Sequence, residues 1–412
     1  MNAFLKKAEL RGHYVAKPSK SYAHRYLIAA MLSNNSCKIS NVDFSDDINA
    51  TLNCIDAFGK IIAKDEDNGF VNFQNNSIKN ANPIFNCNES GTTLRILFPI
   101  VLTKYDNVTF IGSERLMVRG INVYEETLNY LNFNKSPNSI NIKGMLKPNK
   151  YNIPGNISSQ YISGLLYALP LLNGDSTINI TTNFESKNYI LMTLEVIKNF
   201  GIDINTNIYD ADNLINESKN IYFSIKGNQH YIASDFSIEG DYSNTAFIDA
   251  FNYFNSDINI SGLNQNSLQS DKIYKTYFDT LNDGFAEIDI SNCIDLGPIL
   301  MVFAALKNGA RLTNTKRLKI KESDRGMATY TELKKCHADI IVNENDILIK
   351  KVPLTKPVEA FSSHNDHRIA MALSLLATKF DIEIKNAECI SKSYPDYFNN
   401  LTTLGGKVSF ER

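Results

Sequence analysis

Apolar residues along this chain are grouped in a pattern that recurs six times. In each copy a short polar or Ser-rich segment precedes an apolar run with helical spacing, as in residues 90–102 (SGTTLRILFPIVL). Small polar residues before such a run are typical of helix N-caps. The pattern therefore predicts six helices that begin at their polar ends, near residues 21, 90, 158, 243, 295 and 365.

A short alternating segment and a second amphipathic helix follow each of these helices. Period-two alternation predicts strands within residues 37–42, 107–113, 176–182, 257–263, 310–318 and 381–387. The closing helices are predicted at residues 46–59, 120–133, 188–201, 271–283, 324–338 and 395–405, and several end at a glycine. Any α/β chain alternates helices and strands, but the regular spacing of the six copies favours true repetition.

A chain of 412 residues is longer than one hydrophobic core usually organises. We therefore predict two similar domains of three helix-strand-helix-strand repeats each. The Gly- and Asn-rich stretch 219–229 is the expected crossing point between them.

Composition narrows the class of protein without naming a function. Hydrophobic residues make up 43% and charged residues 21%, which is typical of a globular protein. The formal net charge of −2 disfavours nucleic acid or an anionic membrane as the main partner. The six cysteines form no Cys-x-x-Cys pair, and no apolar run has the length of a signal peptide or a membrane span. We expect a cytoplasmic protein with reduced cysteines.

Basic residues cluster near the openings of the predicted helices, where free backbone N–H groups and the helix dipole also favour anions. These residues are Lys20, Arg25, Arg95, Arg115, Arg119, Lys321, Arg325, Arg368 and Lys392. In a helix, Lys321, Glu322 and Arg325 would share one face, so an exposed ion-pair ladder is the simpler alternative. The clustering at several helix openings favours a site for strong anions.

Simpler interpretations also exist for the polar groups at the helix starts. Ser158, Ser159 and Gln160 have the hydroxyls and amide needed to hold phosphate oxygens, but Ser158 could only cap a helix. Asp295 could likewise be a helix-capping carboxylate. His367 has no cysteine or second histidine at ligand spacing on a common element, so no metal site is indicated.

Ten segments in the same order resemble the 5-enolpyruvylshikimate-3-phosphate synthases, and the resemblance runs from Pro18 to Phe398, nearly the full chain. They are PSKSYAHR, SGTTLR, the 115–119 segment, SSQYISGLL, ESKNYI, IEGDYSNTAF, the Asp295 segment, KIKESDR, NDHRIAMA and SKSYPDYF. The resemblance implies an α/β fold of two similar domains, each of three repeated βαβαββ units, with the active site in the interdomain cleft. It also implies that the chain re-enters one domain, giving domains of residues 14–229 and of residues 1–13 with 230–412.

The resemblance also implies the reaction and the residues that perform it. The expected activity is transfer of the enolpyruvyl group of phosphoenolpyruvate to the 5-hydroxyl of shikimate 3-phosphate, with release of phosphate. Motif by motif, the shikimate 3-phosphate contacts are Lys20, Ser21, Arg25, Ser158, Ser159, Gln160, Ser186, Tyr189, Asp295 and Lys321. The phosphoenolpyruvate contacts are Lys20, Gly91, Arg119, Gln160, Arg325, Arg368 and Lys392.

The chemistry needs two groups that handle protons, because the 5-hydroxyl loses a proton while C3 of the enol gains one. The resemblance assigns Asp295 as general base and Glu322 as general acid, with Lys20 assisting. The cationic side chains offset the repulsion between two anionic substrates. We expect no cofactor, no metal, no nucleic-acid or membrane partner, and a monomer; members of this family are targets of glyphosate.

Some positions depart from the family pattern. Glu89 stands where Asn is common, Val118 and Gly120 where Glu and Pro are frequent, and Arg317 where an Asn usually contacts substrate. None of these changes removes an assigned catalytic group.

Three alternatives remain open. The related transferase that acts on UDP-N-acetylglucosamine uses a reactive cysteine on a loop that here reads GSERLMVRG, without cysteine. The RNA 3′-phosphate cyclase requires a basic surface, which the net charge disfavours. A non-catalytic binding protein would explain the cations but not both Asp295 and Glu322.

Overall fold

The computed structural model describes residues 1–77, 83–210 and 221–411 of the chain. Residues 219 and 220, at the start of the expected crossing stretch, lie outside these ranges. Within them the strands are β1 Asn2–Lys6, β2 Arg11–Val15, β3 Cys37–Ser40, β4 Lys60–Asp65, β5 Phe70–Ser77, β6 Ile84–Asn86, β7 Asn107–Ile111, β8 Asn132–Ser136, β9 Ser139–Lys143, β10 Lys150–Ile153, β11 Ser176–Ile180, β12 Ile204–Thr206, β13 Tyr222–Ile225, β14 Phe236–Ser237, β15 Asp257–Ser261, β16 Ala286–Asp289, β17 Ala310–Thr313, β18 Asp339–Val342, β19 Asp346–Lys350, β20 Phe361–Ser362, β21 Ile382–Lys385 and β22 Lys407–Glu411.

The α-helices of the same ranges alternate with these strands. They are α1 Lys20–Leu32, α2 Asp46–Phe58, α3 Gly91–Val101, α4 Glu114–Arg119, α5 Asn122–Thr127, α6 Ser159–Ala168, α7 Lys187–Asn199, α8 Tyr242–Asp249, α9 Tyr274–Asp283, α10 Gly297–Leu306, α11 Arg325–Lys334, α12 His367–Ser374 and α13 Tyr397–Thr403. Short 3₁₀ turns extend several of them, including Leu169–Leu171 after α6 and Leu375–Thr378 after α12.

The chain divides into two compact units: residues 20–238, and residues 1–19 together with 239–412. We call them the 20–238 unit and the 239–412 unit. The boundaries fall somewhat later than residues 13/14 and 229/230 because β2 pairs with β15 of the 239–412 unit, while β14 pairs with β3 of the 20–238 unit.

The part of the chain that the structure describes forms six sheets, and five of them share one topology, in which a parallel pair continues into two antiparallel strands. In the order β6-β7-β9-β8, for example, β6 and β7 are parallel and the other pairings are antiparallel. The N-terminal strand β1 completes the sheet β20-β21-β1-β22 of the 239–412 unit. The sixth sheet contains only β15 and β2 among the described residues.

The first helix of each repeat is buried, as its sequence requires. Helix α10 (GPILMVFAAL) has no polar face and is buried along almost its whole length. Helix α3 is similarly enclosed and packs against α6. At this crossing a Cβ on Gly164 would lie 2.7 Å from the carbonyl oxygen of Arg95, so only glycine permits the close approach.

Two of the predicted elements were wrong in extent. The closing helix expected at residues 120–133 ends at Thr127, because β8 begins at Asn132 and pairs with β9. The strand expected at residues 310–318 ends at Thr313, and Lys316–Ile320 forms a 3₁₀ turn. Among the described residues no helix is both long and apolar enough to cross a membrane.

Candidate active site

The site residues of the 20–238 unit lie at the starts of helices α1, α3, α6 and α7. Lys20 opens α1, and its Nζ lies 2.8 Å from Oδ2 of Asp47 in the first turn of α2. Both side chains are largely enclosed, with 16% and 14% of their surface exposed. Asp47 was not singled out from the sequence, although an acidic residue in the first turn of a helix is a favourable ion-pair partner.

Arg25 joins α1 to α7. Its Nε donates to the hydroxyl of Thr193 at 2.9 Å, Nη1 to the carbonyl of Ser21 at 2.7 Å and Nη2 to the carbonyl of Tyr189 at 3.0 Å. Burial lowers the pKa of Arg25 from its usual value, against the opposing effect of nearby tyrosines. Arg25 therefore fixes the backbone at Ser21 and Tyr189, which are two of the predicted contacts of shikimate 3-phosphate.

A second arginine, Arg95 in α3, connects the predicted phosphoenolpyruvate contacts of this unit. Its Nη1 donates to Oε1 of Gln160 at 2.8 Å, and Nη2 donates to the carbonyl of Arg119 at 3.3 Å. The amide nitrogen of Gln160 in turn donates to Thr92 at 2.8 Å. Sequence analysis placed Arg95 at a helix opening but assigned it no role; in the folded chain it orients Gln160.

Gly91 is the first residue of α3 and lies against two guanidinium groups. A Cβ at this position would be 2.7 Å from Nη1 of Arg95 and 3.0 Å from Nη2 of Arg119. Ser90 caps the helix by accepting a hydrogen bond from the backbone N–H of Thr93 at 3.2 Å. The missing side chain of Gly91 therefore lets both arginines approach the N-terminus of α3.

The serines of this unit occupy helix starts in two different ways. Ser158 caps α6 by accepting from the N–H of Gln160 at 3.3 Å, so its capping role is confirmed, and Ser159 is the buried first residue of that helix. Ser186 precedes α7 in a left-handed conformation with φ of 57°. Such a conformation is strained for a residue with a Cβ, and it commonly marks a functional position.

In the 239–412 unit the site residues gather around Arg325, which is only 1% exposed. Its Nη1 lies 2.7 Å from Oδ1 of Asp295, Nη2 lies 2.5 Å from Oε2 of Glu322, and Nε lies 2.8 Å from Oδ2 of Asp366. Burial opposes the charge of Arg325, but the three carboxylates raise its pKa above the usual value. The guanidinium thus holds both predicted proton-handling carboxylates.

Asp295 is bound by two further cations. Nζ of Lys321 lies 3.0 Å from Oδ1, and Nη2 of Arg368 lies 3.4 Å from Oδ2. Burial alone would raise the pKa of Asp295, but Arg368, Lys321 and Arg325 together hold it well below its usual range. Burial also lowers the pKa of Lys321. Asp295 is therefore ionised in the unliganded site.

The local structure around these residues differs from the sequence-based alternatives. Lys321 and Glu322 precede α11, which begins at Arg325 with Asp324 as its cap, so the idea of one shared helical face was wrong. Asp295 lies in the 3₁₀ turn Ile294–Leu296, and the N-cap position of α10 belongs to Leu296. Asp295 is therefore not a simple helix-capping carboxylate.

The start of α12 brings in the remaining predicted cations. Asp366 caps the helix by accepting from the N–H of Arg368 at 3.0 Å, and it also accepts from the hydroxyl of Ser323 at 3.0 Å. Nζ of Lys392 donates to the carbonyl of Asn365 at 2.7 Å. His367 is buried beside Asp366, and no group of metal-ligating side chains exists among the described residues.

Asp271 is a buried carboxylate that sequence analysis missed. It accepts a hydrogen bond from the hydroxyl of Ser243. Burial and the charge of Asp295 raise its pKa to about 6, although Arg368 acts in the opposite direction. No local pattern distinguishes Asp271, since it precedes α9 in an ordinary amphipathic segment. Arg317, at a position that departs from the family pattern, donates to the carbonyl of Ser291.

The chain is similar in sequence to known proteins over most of its length. A family model described as EPSP synthase (3-phosphoshikimate 1-carboxyvinyltransferase) matches residues 5–401. A 3-phosphoshikimate 1-carboxyvinyltransferase of Clostridium acetobutylicum is 39% identical over 97% of this chain and 96% of its own length. The protein of the same name from Clostridioides difficile is also 39% identical, with 97% of each chain covered.

Solved structures share the fold. An EPSP synthase from Acinetobacter baumannii superimposes with a TM-score of 0.76 at 20% identity, covering 99% of this chain and 100% of that one. The enolpyruvyl transferase NikO from Streptomyces tendae gives a TM-score of 0.74 at 13% identity, covering 99% and 98%. At these identities the two structures establish the architecture alone.

Proposed function

Because the chain belongs to the EPSP synthase (3-phosphoshikimate 1-carboxyvinyltransferase) family, we propose that the clusters around Arg95 and Arg325 bind the substrates and move the protons of that reaction. The family, the two-domain α/β fold and the activity predicted from the sequence are confirmed. The enzyme transfers the enolpyruvyl group of phosphoenolpyruvate to the 5-hydroxyl of shikimate 3-phosphate and releases phosphate. A cytoplasmic location and a monomeric state remain predictions.

The arrangement around Arg325 is the observation that supports the assignment of roles. One buried guanidinium binds Asp295 and Glu322 together, at 2.7 and 2.5 Å. The reaction needs one group to take the proton of the 5-hydroxyl and another to deliver a proton to C3, where the enol carbon becomes a methyl group. Two carboxylates fixed by one rigid planar group satisfy this need for defined positions.

Asp295 is a weak base in the unliganded site, because three cations stabilise its charged form. Substrate anions offer those cations other partners. When Lys321 and Arg368 bind a phosphate or carboxylate, their stabilisation of Asp295 decreases and its pKa rises. We therefore expect substrate binding itself to turn Asp295 into an effective acceptor for the hydroxyl proton.

Glu322 must be protonated to act as the acid. Its ion pair with Arg325 favours the charged form, so a competing carboxylate on Arg325 would favour uptake of a proton by Glu322. The carboxylate of phosphoenolpyruvate is the obvious competitor, because arginine binds planar carboxylates through two parallel hydrogen bonds. Binding of phosphoenolpyruvate and protonation of Glu322 would then be coupled.

In the 20–238 unit we propose that Lys20, Arg119 and Gln160 bind phosphoenolpyruvate, while Ser21, Arg25, Ser158, Ser159, Ser186 and Tyr189 bind shikimate 3-phosphate. The helix starts that carry these side chains provide backbone N–H groups for phosphate oxygens. Gly91 has no side chain and so lets the guanidinium groups of Arg95 and Arg119 approach the start of α3.

The test is phosphate release from phosphoenolpyruvate in the presence of each acceptor. Shikimate 3-phosphate should support release and UDP-N-acetylglucosamine should not, because the 20–238 unit has no cysteine on the 112–120 loop. Equal rates with both acceptors, or release that needs neither, would contradict the proposal.

A further inference from the structure

Glu332 is a buried carboxylate, 1% exposed, that lies on α11 outside both clusters described above. Its Oε2 accepts from Nζ of Lys335 at 2.7 Å and from the backbone N–H of Ser362 at 2.8 Å. Its Oε1 lies 2.7 Å from Nε2 of His364. A buried carboxylate with three partners is held firmly, and two of these partners belong to one short turn.

That turn, residues 362–366, has an unusual backbone. His364 and Asn365 are consecutive non-glycine residues in the left-handed region, with φ of 51° and 54°. Side-chain hydroxyls support it: Ser362 accepts from the N–H of His364 at 3.1 Å, and Ser363 accepts from the N–H of Asn365 at 3.2 Å. A strained conformation of this kind persists only where its surroundings impose it.

The same turn and the start of α12 contact the cations proposed to bind phosphoenolpyruvate in this unit. The carbonyl of Asn365 accepts from Nζ of Lys392 at 2.7 Å. Nε of Arg325 lies 2.8 Å from Oδ2 of Asp366. Arg368 follows in the first turn of α12 and reaches Asp295 at 3.4 Å. The cations proposed to bind phosphoenolpyruvate in this unit therefore depend on the conformation of residues 362–366.

We propose that Glu332 and His364 are positioning residues that hold the 362–366 turn in its strained conformation, and thereby place Arg325, Arg368 and Lys392 for phosphoenolpyruvate. The inference rests on the proposed assignment of those three cations to this substrate. Glu332 contacts neither substrate and acts only through the turn.

A carboxylate suits this position better than an amide. Burial would raise the pKa of Glu332, but its hydrogen bonds to His364, Lys335 and Ser362 lower it overall, so the side chain is ionised. Glutamine could present only one acceptor oxygen, and its NH₂ group would face either Nε2 of His364 or both the ammonium of Lys335 and the N–H of Ser362. Either arrangement removes one restraint from the turn.

The decisive measurement is the KM for each substrate in single variants. Glu332→Gln and His364→Ala should each raise the KM for phosphoenolpyruvate by about tenfold, because small displacements of binding groups weaken binding strongly. The KM for shikimate 3-phosphate should stay within about twofold, since most of its proposed contacts lie in the 20–238 unit. Glu344→Gln is the matched control, because Glu344 is 74% exposed and forms an ion pair with Lys316 at 3.2 Å.

A conservative variant separates positioning from general stability. His364 is partly exposed, and His364→Gln keeps an N–H donor near the place of Nε2, so this variant should restore the KM for phosphoenolpyruvate that His364→Ala loses. Recovery with glutamine supports the proposal. Equal KM values in His364→Ala and the wild type, or equal increases for both substrates, would overturn it. Wild-type enzyme without acceptor-dependent phosphate release would instead refute the proposed function.

Discussion

Arg325 is joined to Asp295 by a direct ion pair, with 2.7 Å between Nη1 and Oδ1. Glu322 is bound to the other terminal nitrogen of the same guanidinium at 2.5 Å. The proposed base and acid are therefore not independent groups, because a change in the charge of one alters the field at the other through Arg325. We therefore expect the effects of substitutions at Asp295, Glu322 and Arg325 on activity to depend on one another.

Glu322→Gln tests the proposed acid directly. The amide oxygen can still accept from Arg325, so the local geometry should survive, but the side chain can no longer donate an acidic proton to C3. We expect kcat to fall by about 10²-fold or more, with little change in the affinity for shikimate 3-phosphate. Steady-state kinetics and calorimetry measure the two quantities.

Glu287→Gln serves as the control for this substitution, since Glu287 is 61% exposed and pairs with Arg311 at 3.5 Å. It should leave kcat unchanged. Loss of acceptor binding by Glu322→Gln with a normal kcat would reverse the assignment of Glu322 from acid to binding residue.

Gly91→Ala should selectively impair phosphoenolpyruvate. The added Cβ would lie 2.7 Å from Nη1 of Arg95 and 3.0 Å from Nη2 of Arg119, so both guanidinium groups must move away from the helix start. Since Arg95 also orients Gln160, the KM for phosphoenolpyruvate should rise by about tenfold. Glyphosate should compete with phosphoenolpyruvate in the wild type and lose affinity in this variant.

Gly284→Ala is the control, because among the described residues, apart from its chain neighbours, no atom lies within 4 Å of a Cβ at that position. An unchanged KM in Gly91→Ala, or wild-type inhibition by glyphosate that ignores the concentration of phosphoenolpyruvate, would contradict the placement of this substrate beside Gly91.

The sequence predicted much of the fold because its repeats obey local rules. The polar openings of α3 and α6 are caps, as Ser90 and Ser158 demonstrate, and a helix such as α10 with no polar face has to be buried. The predictions were wrong where pairing between strands, and not the local pattern, decides the secondary structure. Residues 128–133 continue the helical pattern of α5, but β8 begins at Asn132 because it pairs with β9.

The proposed site could be predicted residue by residue only where a motif carried the resemblance. The central position of Arg325 depends on Asp295 and Asp366, which come from separate segments and meet Arg325 only in the folded chain. Glu332 shows the same limit, because its spacing from Lys335 resembles an exposed i, i+3 ion pair although its carboxylate is buried. Local sequence cannot reveal such long-range contacts.

Asp271 should make the folded protein less stable as pH rises through the weakly acidic range. Burial and Asp295 raise its pKa from 3.8 to about 6, so between these values the folded state binds a proton that the unfolded state has released. The contribution of Asp271 to the free energy of unfolding should therefore fall as pH increases from about 4 to about 6, by at most about 3 kcal/mol.

Asp271→Asn removes this titration and keeps a polar group near Ser243. Urea unfolding at several pH values should show that the stability of the wild type relative to the variant falls between pH 4 and 6 and stays constant above about pH 7. Identical pH dependence in the two proteins would show that Asp271 does not titrate in this range.

His24 begins a buried chain of hydrogen bonds from α1 to the start of α3. Nδ1 lies 2.7 Å from the hydroxyl of Thr51, which lies 2.6 Å from that of Thr93, and Thr93 donates to Oγ of Ser90 at 2.7 Å. Since Thr93 donates to Ser90, Thr51 must donate to Thr93, and His24 must donate from Nδ1. Burial, Lys20 and Arg25 lower the pKa of His24 well below its usual value, so the ring is neutral.

His24→Asn should keep a hydrogen-bond donor to the hydroxyl of Thr51 but remove the titratable imidazole. Below a pH of about 6.5 the unfolded wild type binds a proton at His24 that the folded state does not, so the contribution of His24 to the free energy of unfolding should fall as pH decreases from about 7 to about 5. The variant should show a smaller decrease over that range. Thr93→Val, which breaks the chain but keeps His24, should lose about 1 kcal/mol at pH 7 and keep the wild-type pH dependence. Urea unfolding of the three proteins measures both effects, and an undiminished acid sensitivity in His24→Asn would exclude His24 as its source.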